Sequence, residues 1–262
     1  MIGLKKRTYQ TLIELTNKKW SSRMIEKFAR SPKSKSMIKN FANHYKIDLS
    51  ELEKPLEQYE TLHEFFTRKL SDGKRPINFE PNVIVSPVDG VIEDFGVITQ
   101  SSLITVKGKL YSVAEMLGSR EKASKYENGT FLVCYLSPTN YHRIHSPQSG
   151  EITDNWILGS HSYPVNKHGL KYGKDTLSKN YRQISELKTS RSTIGIVKVG
   201  AMFVNCIEMI NKSSVVEKGE EIAYFSFGST VVLLFEKNKF EMLPNIKAPF
   251  VVQMGQAIGI EK

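Results

Sequence analysis

The chain has 262 residues, 40% of them hydrophobic and 24% charged, with 17 Gly and 10 Pro. That composition buries one main core and excludes collagen-like, disordered and disulfide-scaffold classes. The longest purely apolar run, Val231 to Phe235, falls far short of the ~18 residues that cross a bilayer, and no signal-peptide h-region opens the chain, so the expectation is a protein neither integral nor secreted. The net charge of +10 is lopsided: residues 1–45 carry +9 and the remainder +1. A basic segment on a nearly neutral body points to an anionic surface, nucleic acid or acidic phospholipid.

In chain order, Ser22 followed by Met24, Ile25 and Phe28 reads as the start of an amphipathic helix. Met37, Ile38, Phe41, Ala42 and Tyr45 recur at helical spacing. Short basic amphipathic helices suit an anionic leaflet, although such stripes also pack on their own domain. Nucleic acid is disfavoured, because no zinc-finger spacing, RNP1-like run or arginine-rich tract accompanies the charge. Thr61 and Glu64 form a capping box ahead of Leu62, Phe65, Phe66 and Leu70, with an expected helix end near Ser71-Asp72-Gly73. After Pro76 the texture changes to short Val/Ile/Phe/Tyr runs punctuated by Gly, Pro, Asn and Ser, which is β texture. The expected fold is α+β: N-terminal amphipathic helices over residues 1–75, followed by a predominantly antiparallel β domain over 76–262. Cys134 and Cys206 sit in apolar β-prone runs and read as buried thiols, which suits a reducing cytoplasm. Residues 155–190 are polar and aperiodic and read as a long loop.

Three segments carry reactive types. In Ser86-Pro87-Val88-Asp89-Gly90 an Asp follows a strand-like run and precedes a turn glycine, a pattern that ordinary turns also produce. Tyr141-His142-Arg143-Ile144-His145-Ser146-Pro147 places two histidines three apart. A third ligand at zinc spacing is missing, so no metal is expected; a bend after Ile144 would let both rings share a cavity. In Phe225-Ser226-Phe227-Gly228-Ser229-Thr230 a Gly-Ser-Thr triplet interrupts a β run. It marks a bulge, or else Ser229 is a nucleophile with His145 as base and Asp89 orienting that base. The G-x-S-x-G elbow of an ordinary serine hydrolase is absent.

Together these segments resemble the bacterial phosphatidylserine decarboxylases. The resemblance runs through YETLHEFFTRKLSDGKRPI (59–77), SPVDGVI (86–92), LSPTNYHRIHSP (136–147), YPVN (163–166), IVKVGAMFVNCIE (196–208) and KGEEIAYFSFGSTVVLLF (218–235). Two departures stand out: Phe227 precedes the Gly228-Ser229-Thr230 triplet, and the substrate-loop N-E-R is Asn180-Tyr181-Arg182. The resemblance implies self-cleavage between Gly228 and Ser229 into a β chain (1–228) and an α chain (229–262) that stay together as a heterodimer. It implies Ser229 as nucleophile and precursor of a covalent pyruvoyl cofactor, His145 as its base and Asp89 as the orienting carboxylate. It further implies that phosphatidylserine forms a Schiff base with that group and loses CO2 to give phosphatidylethanolamine, with His142 supplying the proton to the α-carbon. The resemblance also implies a homodimer docked peripherally on the anionic cytoplasmic face of the cell membrane. Three alternatives stay open: a pyruvoyl decarboxylase of a soluble amino acid, a serine hydrolase using Ser229, His145 and Asp89, and a non-catalytic basic adaptor. His161 and His168 read equally as solvated or substrate-facing.

Overall fold

The computed structural model describes residue 24 and residues 26–201, 207–210, 213–226 and 229–262. Ser22, Ile25, Cys206, Phe227 and Gly228, for which the sequence sets expectations, lie outside the described residues.

The architecture follows from the Ser229–Phe235 strand, which is buried at every position. It pairs antiparallel with Thr130–Leu136 on one edge and Thr193–Gly200 on the other. Around that core an eight-stranded antiparallel sheet runs Val215–Val216, Gly150–Leu158, Arg182–Lys188, Thr193–Gly200, Ser229–Phe235, Thr130–Leu136, Gly90–Val97, Phe250–Val252. Side chains alternate between faces along a strand, and here each face has its own core. Val231, Leu233 and Phe235 pack with Leu132, Cys134, Leu136, Ile194 and Ile196 on one side. Val232 and Leu234 pack with Phe131, Val133, Val197 and Val199 on the other. Two three-stranded sheets supply Ile84, Ile258, Phe240, Ile144, Ala223 and Phe225 to the first core. The second is closed by the Leu103–Val106/Lys109–Ser112 hairpin and the short helices Val113–Leu117, Arg120–Ser124, Lys167–Tyr172 and Thr176–Lys179. The unbroken apolar run is therefore a strand covered on both faces. The result is α+β with short N-terminal helices, as the sequence pattern indicates.

Three local expectations change. The stripe on the Ile38–His44 helix is taken by the protein itself: Ile38 and Ala42 are buried against Ile47, Leu52, Tyr59, Leu62 and Phe65. Periodicity fixes a stripe but not what covers it. The cap at Thr61 forms, with its Oγ1 accepting from Glu64 N at 3.0 Å, while Glu64 Oε2 reaches one residue further back and accepts from Glu60 N at 2.7 Å. That helix, Leu62–Phe66, stops well before residues 71–73: the Thr67 hydroxyl donates back to His63 O, and Leu70 instead bridges Leu52. Finally, 155–190 is no long loop. It holds the end of Gly150–Leu158, two short helices and Arg182–Lys188. The latter strand is polar yet mostly buried, and partners elsewhere in the fold take up its arginine and one serine: Arg182 donates to the Met116, Asn180 and Glu115 carbonyls, and Lys198 Nζ to Ser185 Oγ, while Gln183 Oε1 and Glu186 Oε1 have no hydrogen-bond partner.

Cys134 is free and buried, and burial pushes its thiol up to about 12. Among the described residues no helix is long and apolar enough to cross a membrane. Leu233→Ala, in the doubly covered strand, should lower unfolding free energy by about 2–5 kcal/mol. Urea unfolding measures this, and a loss under about 1 kcal/mol would contradict the double burial.

Candidate active site

Backbone hydrogen bonds draw the three reactive segments together. His145 N donates to Pro87 O at 2.8 Å and Val85 N to Pro147 O at 3.1 Å, which lays the Asp89 turn along the histidine segment. Glu221–Phe225 pairs with Arg143–His145, and Phe225 N donates to His142 O at 3.0 Å. The strand that leads into Ser229 is thus bonded to the segment bearing both histidines. Gly90 is required where it stands, because a Cβ there would lie 2.4 Å from Tyr135 O.

Asp89 is buried and fully engaged. Its carboxylate accepts from Arg75 Nε at 2.9 Å, Arg75 Nη2 at 2.6 Å and Met254 N at 2.8 Å. Arg75 reaches equally to Glu51, with both contacts at 2.9 Å. A guanidinium fork outcompetes an imidazole N–H for a carboxylate, so Asp89 turns to Arg75. Its influence on His145 is electrostatic, favouring the charged ring.

The two histidines differ in what they leave open. His145 Nδ1 lies 2.8 Å from Gly219 O, so that nitrogen carries the proton, and Nε2 accepts from the Tyr141 hydroxyl at 3.0 Å. His142 Nδ1 donates to Asn140 O at 2.8 Å, while its buried Nε2 has no hydrogen-bond partner. Its ring lies 4.0 Å from that of Phe66. Burial lowers the pKa of both, His142 to about 3, with the Arg68 cation adding to the shift. Both rings are neutral at neutral pH.

Ser229 lies opposite Leu136 and Gly200, on the face shared with Val231, and its buried Oγ has no hydrogen-bond partner. Asn180 Nδ2 donates to Gly200 O at 2.7 Å and to Tyr163 O at 2.8 Å, tying the YPVN segment to the strand beside Ser229. His161 stacks on Tyr163 at 5.2 Å. Among the described residues no hydrogen bond joins Asp89 to His145 or His145 to Ser229, and no three His, Cys, Asp or Glu side chains gather as a metal site.

Several contributors escaped the sequence reading. Arg75 and Tyr141 lie inside quoted motifs but gave no positional signal. His63, on the Leu62–Phe66 helix, places Nε2 3.3 Å from the buried Ser226 hydroxyl, three residues before Ser229. Nothing in its spacing marks it; only the fold brings that helix onto the Ser226 segment.

Comparison with known proteins gives a consistent match. The family model for phosphatidylserine decarboxylase covers residues 62–260. The chain is 57% identical over 251 residues to a phosphatidylserine decarboxylase proenzyme of Anoxybacillus flavithermus, spanning 96% of this chain and 95% of that one. The proenzyme of a Geobacillus species is 56% identical over 254 residues (97% and 98% covered), and that of Bacillus thuringiensis 49% over 255 (97% of each).

The buried neutral histidines make stability pH-dependent. Their folded pKa values lie below the unfolded value of 6.5, so the unfolded chain binds protons that the folded chain refuses. Stability should fall as pH drops from 6.5 toward 3, by at most about 1.4 kcal/mol per pH unit per histidine. Urea unfolding between pH 7 and 5 measures this, and His142→Gln should remove about one proton from the slope; an unchanged slope would contradict the assignment.

Proposed function

The chain belongs to the phosphatidylserine decarboxylase family, a family of decarboxylases, and on that premise we propose that it converts phosphatidylserine to phosphatidylethanolamine and CO2 after cutting its own backbone between Gly228 and Ser229. One observation carries the reading: a serine hydroxyl that heads the central strand, is buried, and has no hydrogen-bond partner. Such a group costs about 1–3 kcal/mol, and costs of that kind persist where a site uses them.

Self-cleavage balances without a co-reactant other than water. Ser229 Oγ attacks the Gly228 carbonyl carbon, the amide becomes an ester, and the Ser229 nitrogen takes up the proton. Loss of the Ser229 α-proton then breaks the Cβ–O bond and frees the residue-228 carboxylate. Hydrolysis of the enamine left behind releases ammonia and makes a pyruvoyl group at position 229. His145 Nε2 is the base, since Nδ1 is committed to Gly219 O, and the Tyr141 hydroxyl swings off as Ser229 engages it. Asp89, paired with Arg75, supports the charge that His145 acquires. His63 steadies the scissile segment through Ser226. The C-terminal piece stays bound because its strands are interleaved with the larger piece in two sheets.

The residues present suit such a group, as the unpartnered Ser229 Oγ and His142 Nε2 are both buried. A pyruvoyl carbonyl supplies an electron sink for the charge left when CO2 departs. His142, neutral and with Nε2 bare, is a base before it is an acid: it takes a proton from the substrate ammonium and returns it to the α-carbon. Docking on an anionic leaflet rests on the lead-in, where Lys27, Lys33 and Lys39 are exposed beside Met24, Phe28 and Met37. Each such cation is worth about 1 kcal/mol near the surface.

His142→Ala should leave cleavage intact and slow CO2 release from phosphatidylserine vesicles by roughly 10²–10⁴-fold, whereas Asp89→Asn and His145→Ala should leave the chain whole. Release of CO2 from free serine at the same rate as from lipid would favour the soluble-substrate alternative. In co-sedimentation, binding to anionic vesicles should exceed binding to neutral ones at low salt and fall as salt rises; equal binding to both would remove the docking role.

A further inference from the structure

A cavity of about 210 Å3 opens beside the histidine segment, lined by Arg68, Arg75, Asp89, Asn140, Tyr141 and Lys46 among others. Two of its carboxylates, Glu51 and Asp89, are already paired through Arg75. Arg68 has no such pairing. It is 4% exposed, and among the described residues its guanidinium meets no carboxylate. Nη2 donates to the carbonyls of Thr139 at 2.9 Å and Asn140 at 3.1 Å; Nε and Nη1 are buried with no hydrogen-bond partner. The Phe65 ring centroid lies 5.4 Å from its central carbon. Burial lowers its pKa to about 10, which still leaves a cation at neutral pH. A buried cation without an anion is costly, and proteins ordinarily offset that cost by pairing it.

The position of Arg68 ties it to the chemistry. Asn140 O accepts from both Arg68 Nη2, at 3.1 Å, and His142 Nδ1, at 2.8 Å. Guanidinium and imidazole are joined through one carbonyl oxygen, which puts Arg68 one carbonyl away from His142. The same cavity is rimmed by the exposed cation Lys46 and by Val251, which is 73% exposed. A cation and an apolar side chain at a mouth match the headgroup–acyl boundary of a leaflet.

The headgroup offers two anions. The carboxylate loses its charge as CO2 leaves, so a guanidinium clamped on it would stabilise the ground state over the transition state and slow the reaction. The phosphodiester keeps its charge throughout. We propose that Arg68 binds the phosphodiester of the lipid headgroup through its unpaired N–H groups and so sets the serine moiety against His142. This rests on the phosphatidylserine reading above.

The test is an NMR titration of the purified chain with millimolar glycerophosphoethanolamine, which carries the diester and no carboxylate, and in parallel with inorganic phosphate and with L-serine. Glycerophosphoethanolamine should bind, and serine should not displace it. Arg68→Gln should weaken binding roughly 10- to 100-fold, as expected for a charged hydrogen-bonded pair, and Arg68→Lys by less. Lys46→Gln, at an exposed position, should weaken it about two- to threefold through lost screened charge. With lipid substrate, Arg68→Lys should raise KM and largely keep kcat. Displacement by serine would assign the cavity to the carboxylate. Binding of inorganic phosphate without the diester would make it a free-phosphate site. No binding of the diester, or binding unmoved by Arg68→Gln and Lys46→Gln, would leave the guanidinium purely structural. Each of these results overturns the proposal. Binding is read without turnover on a sample whose cut or uncut state is known from its mass, so failure here is separable from failure of the self-cleavage reading.

Discussion

The Ser229–Phe235 strand is hydrogen-bonded along both edges and covered on both faces, and the rest of the molecule is arranged around that constraint. A strand so held has little freedom to relax. Its first residue therefore keeps a buried hydroxyl unpaired at a point where a looser backbone would turn it to a partner or to water. The same pairing is what would hold a severed chain together: Thr130–Leu136 and Thr193–Gly200 grip the strand from either side, whatever happens just before it.

Around this fixed serine the polar groups divide into committed and uncommitted. Asp89 is committed to Arg75 and the Met254 amide, and His145 has both nitrogens in hydrogen bonds. Ser229 Oγ, His142 Nε2 and two nitrogens of Arg68 have none. Committed groups hold shape and potential, while uncommitted ones, buried at a cost, are free to meet something that arrives. The neutrality of both histidines follows from burial, and it makes each of them an acceptor first. On the proposed reading Asp89 acts through its field rather than as a hydrogen-bond relay, and Arg75, which holds its carboxylate, joins the site.

Much of this was legible in the sequence because it rests on local pattern. The Val231–Phe235 run announced a strand, the T-x-x-E spacing announced the cap at Thr61, and the reactive residues sat in short motifs whose resemblance to the phosphatidylserine decarboxylases implied the chemistry. What was not legible depends on distant partners. Arg182–Lys188 is polar in sequence and buried in the fold because carbonyls of Glu115 and Met116 receive its arginine. The stripe on Ile38–His44 fitted a membrane equally well until Leu62 and Phe65 filled it. Arg75, His63 and Arg68 gained their roles from residues 14 to 163 positions away, namely Asp89, Ser226 and Asn140. Periodicity carries no record of such contacts.

The most direct test of the account is a denaturing intact-mass spectrum of the purified protein. The account requires two chains, residues 1–228 with a free carboxylate and the 34 residues 229–262, the smaller lighter than its encoded mass by one ammonia. A single unmodified chain of 262 residues that stays whole on incubation would contradict it.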